Sequence, residues 1–233
     1  MSQNLSLPSY CLGPLVLIVS LSASLAAAEL PVLFADDFEA AAVDGKPQAW
    51  QPTDPAVWKI TKTDAGNVYH QFKSGKYRPK HRSPYNISLI KDVVVGDFVF
   101  TAKVRSTNSK AGAHRDMCIF FSHQDPSHFY YVHLGKVPDP HSSQIMIVNG
   151  APRKMITNNK SPGIPWDEKW HDVKVVRRVA DGAIEIYFDD MKKPVMTARD
   201  KTFTWGRIGI GSFDDHGQWD DVKLRGVKVN KPK

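Results

Sequence analysis

The chain has 233 residues, 31 Lys and Arg against 24 Asp and Glu for a formal charge of +7, and only two cysteines. That length suits one large β domain and leaves little room for two. With the export signal read below, the basic balance argues against nucleic acid as a partner and favours an anionic glycan or cell surface.

Met1 to Ala28 contain no charged side chain. Leu12 to Leu25 is an apolar run broken by Ser20, Ser22 and Ser24, and it ends in Ala26-Ala27-Ala28, the small-residue pattern of a signal-peptidase site. A bilayer span needs about 20 apolar residues, and this run is short and serine-interrupted for that. The n-region lacks Lys and Arg, a departure from the usual signal peptide. We expect a signal peptide over residues 1–28 and a single domain over 29–233. The mature chain would be secreted or periplasmic, with no membrane span. Loss of Cys11 with the leader leaves Cys118 as the one thiol. An exported domain without a disulfide must rely on a packed core.

No long stretch shows helical periodicity. In chain order, strands are predicted at Val57 to Ile60, Val68 to Phe72, Ile87 to Ile90, Asp97 to Ser106 and Met117 to Ser122. They continue at Phe129 to Leu134, Gln144 to Val148, His171 to Arg178, Ala183 to Phe188, Arg207 to Phe213 and Asp221 to Val229. Gly, Pro, Asn and Asp clusters separate them, and Asp181-Gly182 between two alternating runs predicts a hairpin. Many short strands without helices argue for a sandwich or barrel.

Side chains two apart on a strand share a face. If Met117, Ile119 and Phe121 point inward on a strand starting at His114, then His114, Asp116 and Cys118 point outward. The same logic turns Phe129, Tyr131 and His133 outward, and Gln144 on the next strand. One face then gathers His114, Asp116, Tyr131 and His133 as candidate acid–base residues, with Phe129 as a stacking platform and Gln144 as a polar contact. The run Lys76 to Arg82 supplies Arg78, His81 and Arg82 as rim residues, and Arg153 adds another cation suited to carboxylate or sulfate. The nine histidines lack short ligand spacing, which argues against zinc. Asn86-Ile87-Ser88 fits a glycosylation sequon.

The stretch from Trp170 to Arg177, Asp181-Gly182, and Ile184 to Asp190 resembles the paired back-sheet strands of laminin G-like and related jelly-roll domains. Phe34 to Glu39 resembles the first strand of that superfamily, and Gly209 to Val222 contains runs resembling its last strands. The layout is also similar to bacterial secreted domains of the 3-keto-disaccharide hydrolase and family 16 glycosidase-like type. The resemblance implies an all-β, two-sheet antiparallel jelly-roll sandwich of concanavalin A-like form. It implies a polysaccharide or oligosaccharide partner, and a structural Ca²⁺ held by Asp37, Glu39 and Asp221, whose hard oxygens suit that ion. No organic cofactor is expected. The family 16 carboxylate strand is absent, Glu185 to Asp189 being the nearest approach. The residue types are closer to polysaccharide lyases, with His133 or His114 as base, Tyr131 as acid, and Gln144 with Arg78 or Arg82 neutralising a uronate. Hydrolase, lyase, non-catalytic carbohydrate-binding module and adhesion or envelope domain all stay open.

Overall fold

The computed structural model describes residues 29–231; the expected leader lies outside the described residues. The strands are β1 (Val32–Asp36), β2 (Trp50–Pro52), β3 (Trp58–Thr63), β4 (Gly66–Gln71) and β5 (Asn86–Ile90). Next come β6 (Val95–Ser106), β7 (Asp116–Asp125), β8 (His128–Gly135), β9 (Gln144–Asn149) and β10 (Lys154–Met155). The last are β11 (His171–Arg178), β12 (Ala183–Phe188), β13 (Met196–Arg199), β14 (Arg207–Ser212) and β15 (Gly217–Lys228). Each of the eleven expected strands is present. Among the described residues, no helix is long and apolar enough to cross a membrane.

Two antiparallel sheets face each other as a jelly-roll sandwich. The first runs β13-β12-β11-β6-β15-β4-β3, with β1 pairing along the later half of β15. The second runs β10-β9-β8-β7-β14-β5-β2. Strands of the first sheet alternate as one buried face requires: Val173, Val175 and Arg177 point in from β11, and Phe98, Phe100, Ala102 and Val104 from β6. They meet Met117, Ile119, Phe121, Tyr130 and Val132 of the second sheet in one core that also holds Trp50, Trp58, Tyr69 and Trp219. Burying each such side chain contributes about 1.5–3 kcal/mol.

The second sheet breaks the alternation, because β5, β7, β8 and β9 are buried on both faces. Its outer face carries a second apolar cluster of Ile87, Leu89, Cys118, Phe120, Phe129, Tyr131, Met146 and Val148. Residues 72–85, between β4 and β5, roof this cluster. The Gly75 N–H donates to Asn86 Oδ1 at 2.7 Å, at the β5 side of the sheet. The Arg153 N–H, beside β10 at the opposite edge, donates to the Arg82 carbonyl at 3.1 Å. The segment therefore spans the sheet. Asn86 is itself buried and donates to Ser212 Oγ at 3.1 Å, so the sequon asparagine is a packing residue.

His114 is not on a strand as expected. It ends a 3₁₀ turn, Ser109–His114, in which Gly112 takes φ 57°. That left-handed residue turns the chain before β7 begins. Arg115 then points to the core side and is buried, with Nε donating to Ser106 Oγ and Nη2 to the Asp167 carbonyl, both at 2.7 Å. The start of β7 is thereby fixed on both sides.

Candidate functional site

β7 and β8 form a hairpin closed by Asp125, whose carboxylate accepts the Ser127 N–H at 2.7 Å. The register sets Asp116 opposite Gly135 and Cys118 opposite His133. Asp116, Cys118 and His133 therefore share the outer face. Gly211 of β14 lies beside Cys118, and a Cβ there would stand 1.8 Å from the Asn86 carbonyl oxygen, so only glycine permits this approach.

The turn between β14 and β15 completes the site. Asp215 Oδ2 accepts the Asp116 N–H at 3.0 Å, Asp215 Oδ1 accepts Asn108 Nδ2 at 2.5 Å, and Asp116 Oδ1 accepts the Phe213 N–H at 2.8 Å. These bonds hold the Phe213 ring between Tyr85 at 5.1 Å and His133 at 5.8 Å, centroid to centroid. The Arg153 guanidinium lies 4.2 Å from the Phe213 centroid, and Arg82 lies 5.9 Å from it. Around this ring opens a pocket of about 440 Å³. Arg82 and Arg153 form its basic wall, and His114, His133 and His141 bring imidazoles. Asp116, Asp139 and Asp214 bring carboxylates.

Arg153 is the unusual member. Its Nε and Nη1 are shielded from water and have no acceptor among the described residues. A guanidinium so placed lacks the oxygen partners it would have in water or on a carboxylate. His133 Nδ1 lies 2.7 Å from the His141 carbonyl and must donate to it, which leaves Nε2 facing Asp116 Oδ2 at 3.3 Å. Burial pulls the His133 pKa down, but the Asp116 carboxylate and the His141 carbonyl outweigh it and raise it overall. The Asp214 carboxyl, partly withdrawn from water and near Asp116, is held above the usual range.

Of the sequence-derived candidates, His114, Asp116, His133, Arg82 and Arg153 meet in this pocket. Phe129 and Tyr131 do face outward but lie under the roof with no exposed surface, so neither is a stacking platform. The Tyr131 hydroxyl has no partner among the described residues, and burial pushes its pKa well up; it does not reach the pocket as an acid. Arg78 folds onto its own loop, Nη1 donating to the Gly75 and Tyr77 carbonyls at 2.9 and 2.8 Å. His81 is half-buried and does not line the pocket. Gln144 Nε2 donates to the Asp139 carbonyl at 2.9 Å and so shapes the pocket wall instead of facing it. Sequence reasoning missed Asp139, His141, Phe213 and Asp214 as pocket residues. Asp139 lies between two prolines and Asp214 follows the end of β14, where strand alternation says nothing of facing.

Of the expected Ca²⁺ ligands, Asp37 and Asp221 line one pocket, but the three carboxylates do not bring their oxygens within 4.8 Å of one another. Glu39 Oε1 accepts the Asn67 N–H at 2.8 Å, Asp37 Oδ1 accepts the Glu39 N–H at 3.2 Å, and Asp221 pairs with Lys103 at 2.6 Å. The set whose donor atoms do converge, within 4.8 Å of one another, is Asp116, Cys118 and His133.

No protein-family model and no curated protein sequence matches the chain. Solved structures do match. The carbohydrate-binding module CBM66 from Bacillus subtilis superposes with a TM-score of 0.55 at 14% identity, covering 76% of this chain and 96% of that one. Domain 4 of AbnA, a GH43 extracellular arabinanase from Geobacillus stearothermophilus solved with arabinotriose, gives 0.54 at 9% identity, covering 87% and 95%. Lectin UEA-II, solved with galactose, gives 0.51 at 11% identity, covering 84% and 99%. At such identities the likeness establishes the fold alone: a jelly-roll sandwich of concanavalin A-like form.

Proposed function

We propose that the pocket around Phe213 recognises a carbohydrate bearing a carboxylate or sulfate group. The observation that carries this reading is the pair of guanidiniums, Arg153 and Arg82, that lie against Phe213 and line the pocket. An anionic substituent would pair with these two cations, accepting from the guanidinium nitrogens that face the pocket. The Phe213 ring offers an apolar wall to a sugar. The pocket volume suits a terminal residue or two more than a long chain. That the similar folds include a carbohydrate-binding module and a galactose-bound lectin supports the choice of ligand class. The reading includes export: residues 1–28 are removed and residues 29–233 act outside the cytoplasm.

Calorimetric titration with oligouronates, sulfated oligosaccharides and neutral laminarin oligomers tests it. Anionic ligands should bind, more weakly as salt rises, and Arg153→Gln should lose about 10-fold or more in affinity. Equal binding of the neutral oligomers, or unchanged affinity in R153Q, would overturn the proposal.

A second reading, cleavage of the bound glycan, is favoured by two groups on the same pocket: the exposed His114, and Asp214, whose carboxyl is held above its ordinary pKa by burial and the nearby Asp116. With the uronate neutralised by arginine, His114 would take the proton beside the carboxyl and Asp214 would protonate the leaving oxygen. Appearance of unsaturated chain ends, lost in His114→Ala, is the expected signature. Quantitative recovery of intact uronate oligomers after long incubation would leave recognition alone.

A further inference from the structure

Asp116 and His133 line the Phe213 pocket, and Cys118 lies directly behind them on the same face of β7. His133 is 7% exposed, and its Nδ1–H is committed to the His141 carbonyl, so Nε2 is the nitrogen left to face Asp116 and, once deprotonated, to ligate. Nε2 stands 3.3 Å from Asp116 Oδ2 and has no hydrogen-bond partner among the described residues. The pair makes no aligned hydrogen bond, so a metal ion can take the place of the proton that Asp116 would otherwise share with the imidazole. Cys118 Sγ, 3.9 Å from Asp116 Oδ1, adds a soft third donor. We propose that Asp116, Cys118 and His133 form a binding site for a divalent transition-metal ion, zinc foremost, with a fourth ligand position open to the pocket.

The spacing supports this. Nitrogen and oxygen ligands about 2.0–2.1 Å from a tetrahedral zinc stand about 3.3 Å apart, as Nε2 and Oδ2 do here. Both of these ligands also have outer partners of the kind that metal sites use to orient them. The His141 carbonyl holds the imidazole tautomer, and the Phe213 N–H holds Asp116 Oδ1 so that Oδ2 is left for the ion. On binding, the Cys118 thiol would release its proton to solvent. A mixed nitrogen, sulfur and oxygen set selects zinc or cobalt over calcium. The proposal stands on this geometry and does not depend on what sugar the pocket takes.

The test uses the full chain, tag-free and carrying Cys11→Ser, so that Cys118 is its one thiol. After chelator treatment, Co²⁺ should bind at one equivalent with visible d–d bands and a near-ultraviolet thiolate charge-transfer band. Zn²⁺ should bleach both. His133→Gln and Cys118→Ser should weaken Zn²⁺ binding by at least ~100-fold. Absence of the thiolate band in the otherwise wild-type chain overturns the proposal without recourse to any variant, so a variant that fails to fold leaves the test intact. A Zn²⁺ affinity unchanged by H133Q overturns it equally, and would leave an Asp116–His133 ion pair.

Discussion

Arg177 is fully buried and Arg153 half-buried, and they differ in what accepts their protons. Arg177 Nη1 donates to the Gly182 carbonyl at 2.7 Å and Nη2 to the Phe203 carbonyl at 3.0 Å, tying the β11–β12 hairpin to the chain before β14. Arg177→Ala should therefore cost about 1–3 kcal/mol in urea unfolding, because it leaves the Phe203 carbonyl without its donor, while the Gly182 carbonyl keeps the Asp200 N–H. Arg153 has no such acceptors. Arg153→Met should leave the urea midpoint nearly unchanged, since among the described residues the guanidinium makes no hydrogen bond that the fold would lose. A marked loss of stability in R153M would mean that the guanidinium is held for the fold. The sequence suggested Arg153 as a rim cation but gave no hint of this difference, which depends on which carbonyls lie within reach. Phe129 and Tyr131 teach the same point. Alternation correctly turned them outward, and only the roof decides that outward is not exposed.

Among the elements, residues 72–85 decide most about the site. The first-sheet strands were legible because one face of each is wet, and period-two patterning follows from that. The strands β2, β10 and β13 are too short to leave a pattern, with 3, 2 and 4 residues. The roof was not legible: Lys76 to Arg82 is a charge run, and its contacts to β5 and to residue 153 are made largely by the backbone and by Asn86. The convergence of Cys118 and His133 was hidden for a related reason, since strand register, not sequence spacing, creates it. If the roof is what keeps the outer cluster dry, replacing residues 76–83 with a Gly/Ser stretch should uncover Phe120, Phe129 and Tyr131. Strong binding of a hydrophobic dye at unchanged far-ultraviolet circular dichroism is the expected result. Absence of dye binding would show that other chain covers the cluster. Asn86→Ala, which strands the Gly75 N–H, should cost about 1–3 kcal/mol by the same unfolding assay.

The whole molecule carries an acid sensitivity of its own. Burial, with help from nearby cations, lowers the pKa of His70 and of His123 from 6.5 to about 4. Both are neutral in the fold, whereas in the unfolded chain they protonate near 6.5. The stability these two histidines contribute is thus complete above pH 6.5 and is lost as pH falls from there toward 4. For the more deeply buried His123 the loss is on the order of 3 kcal/mol, an upper figure. Between pH 7.5 and 4.5 the urea midpoint of His123→Phe should fall less than that of the wild type; equal pH slopes for the two would refute the linkage. The buried Asn86 has a practical consequence for making the protein. Oligosaccharyltransferase acts on a nascent chain before its strands close, and Asn86-Ile87-Ser88 is a substrate at that moment. An attached glycan would occupy the place of Gly75 and Ser212, so a eukaryotic secretory host would release chains unable to shut this seam, while a host without that enzyme would deliver a homogeneous product.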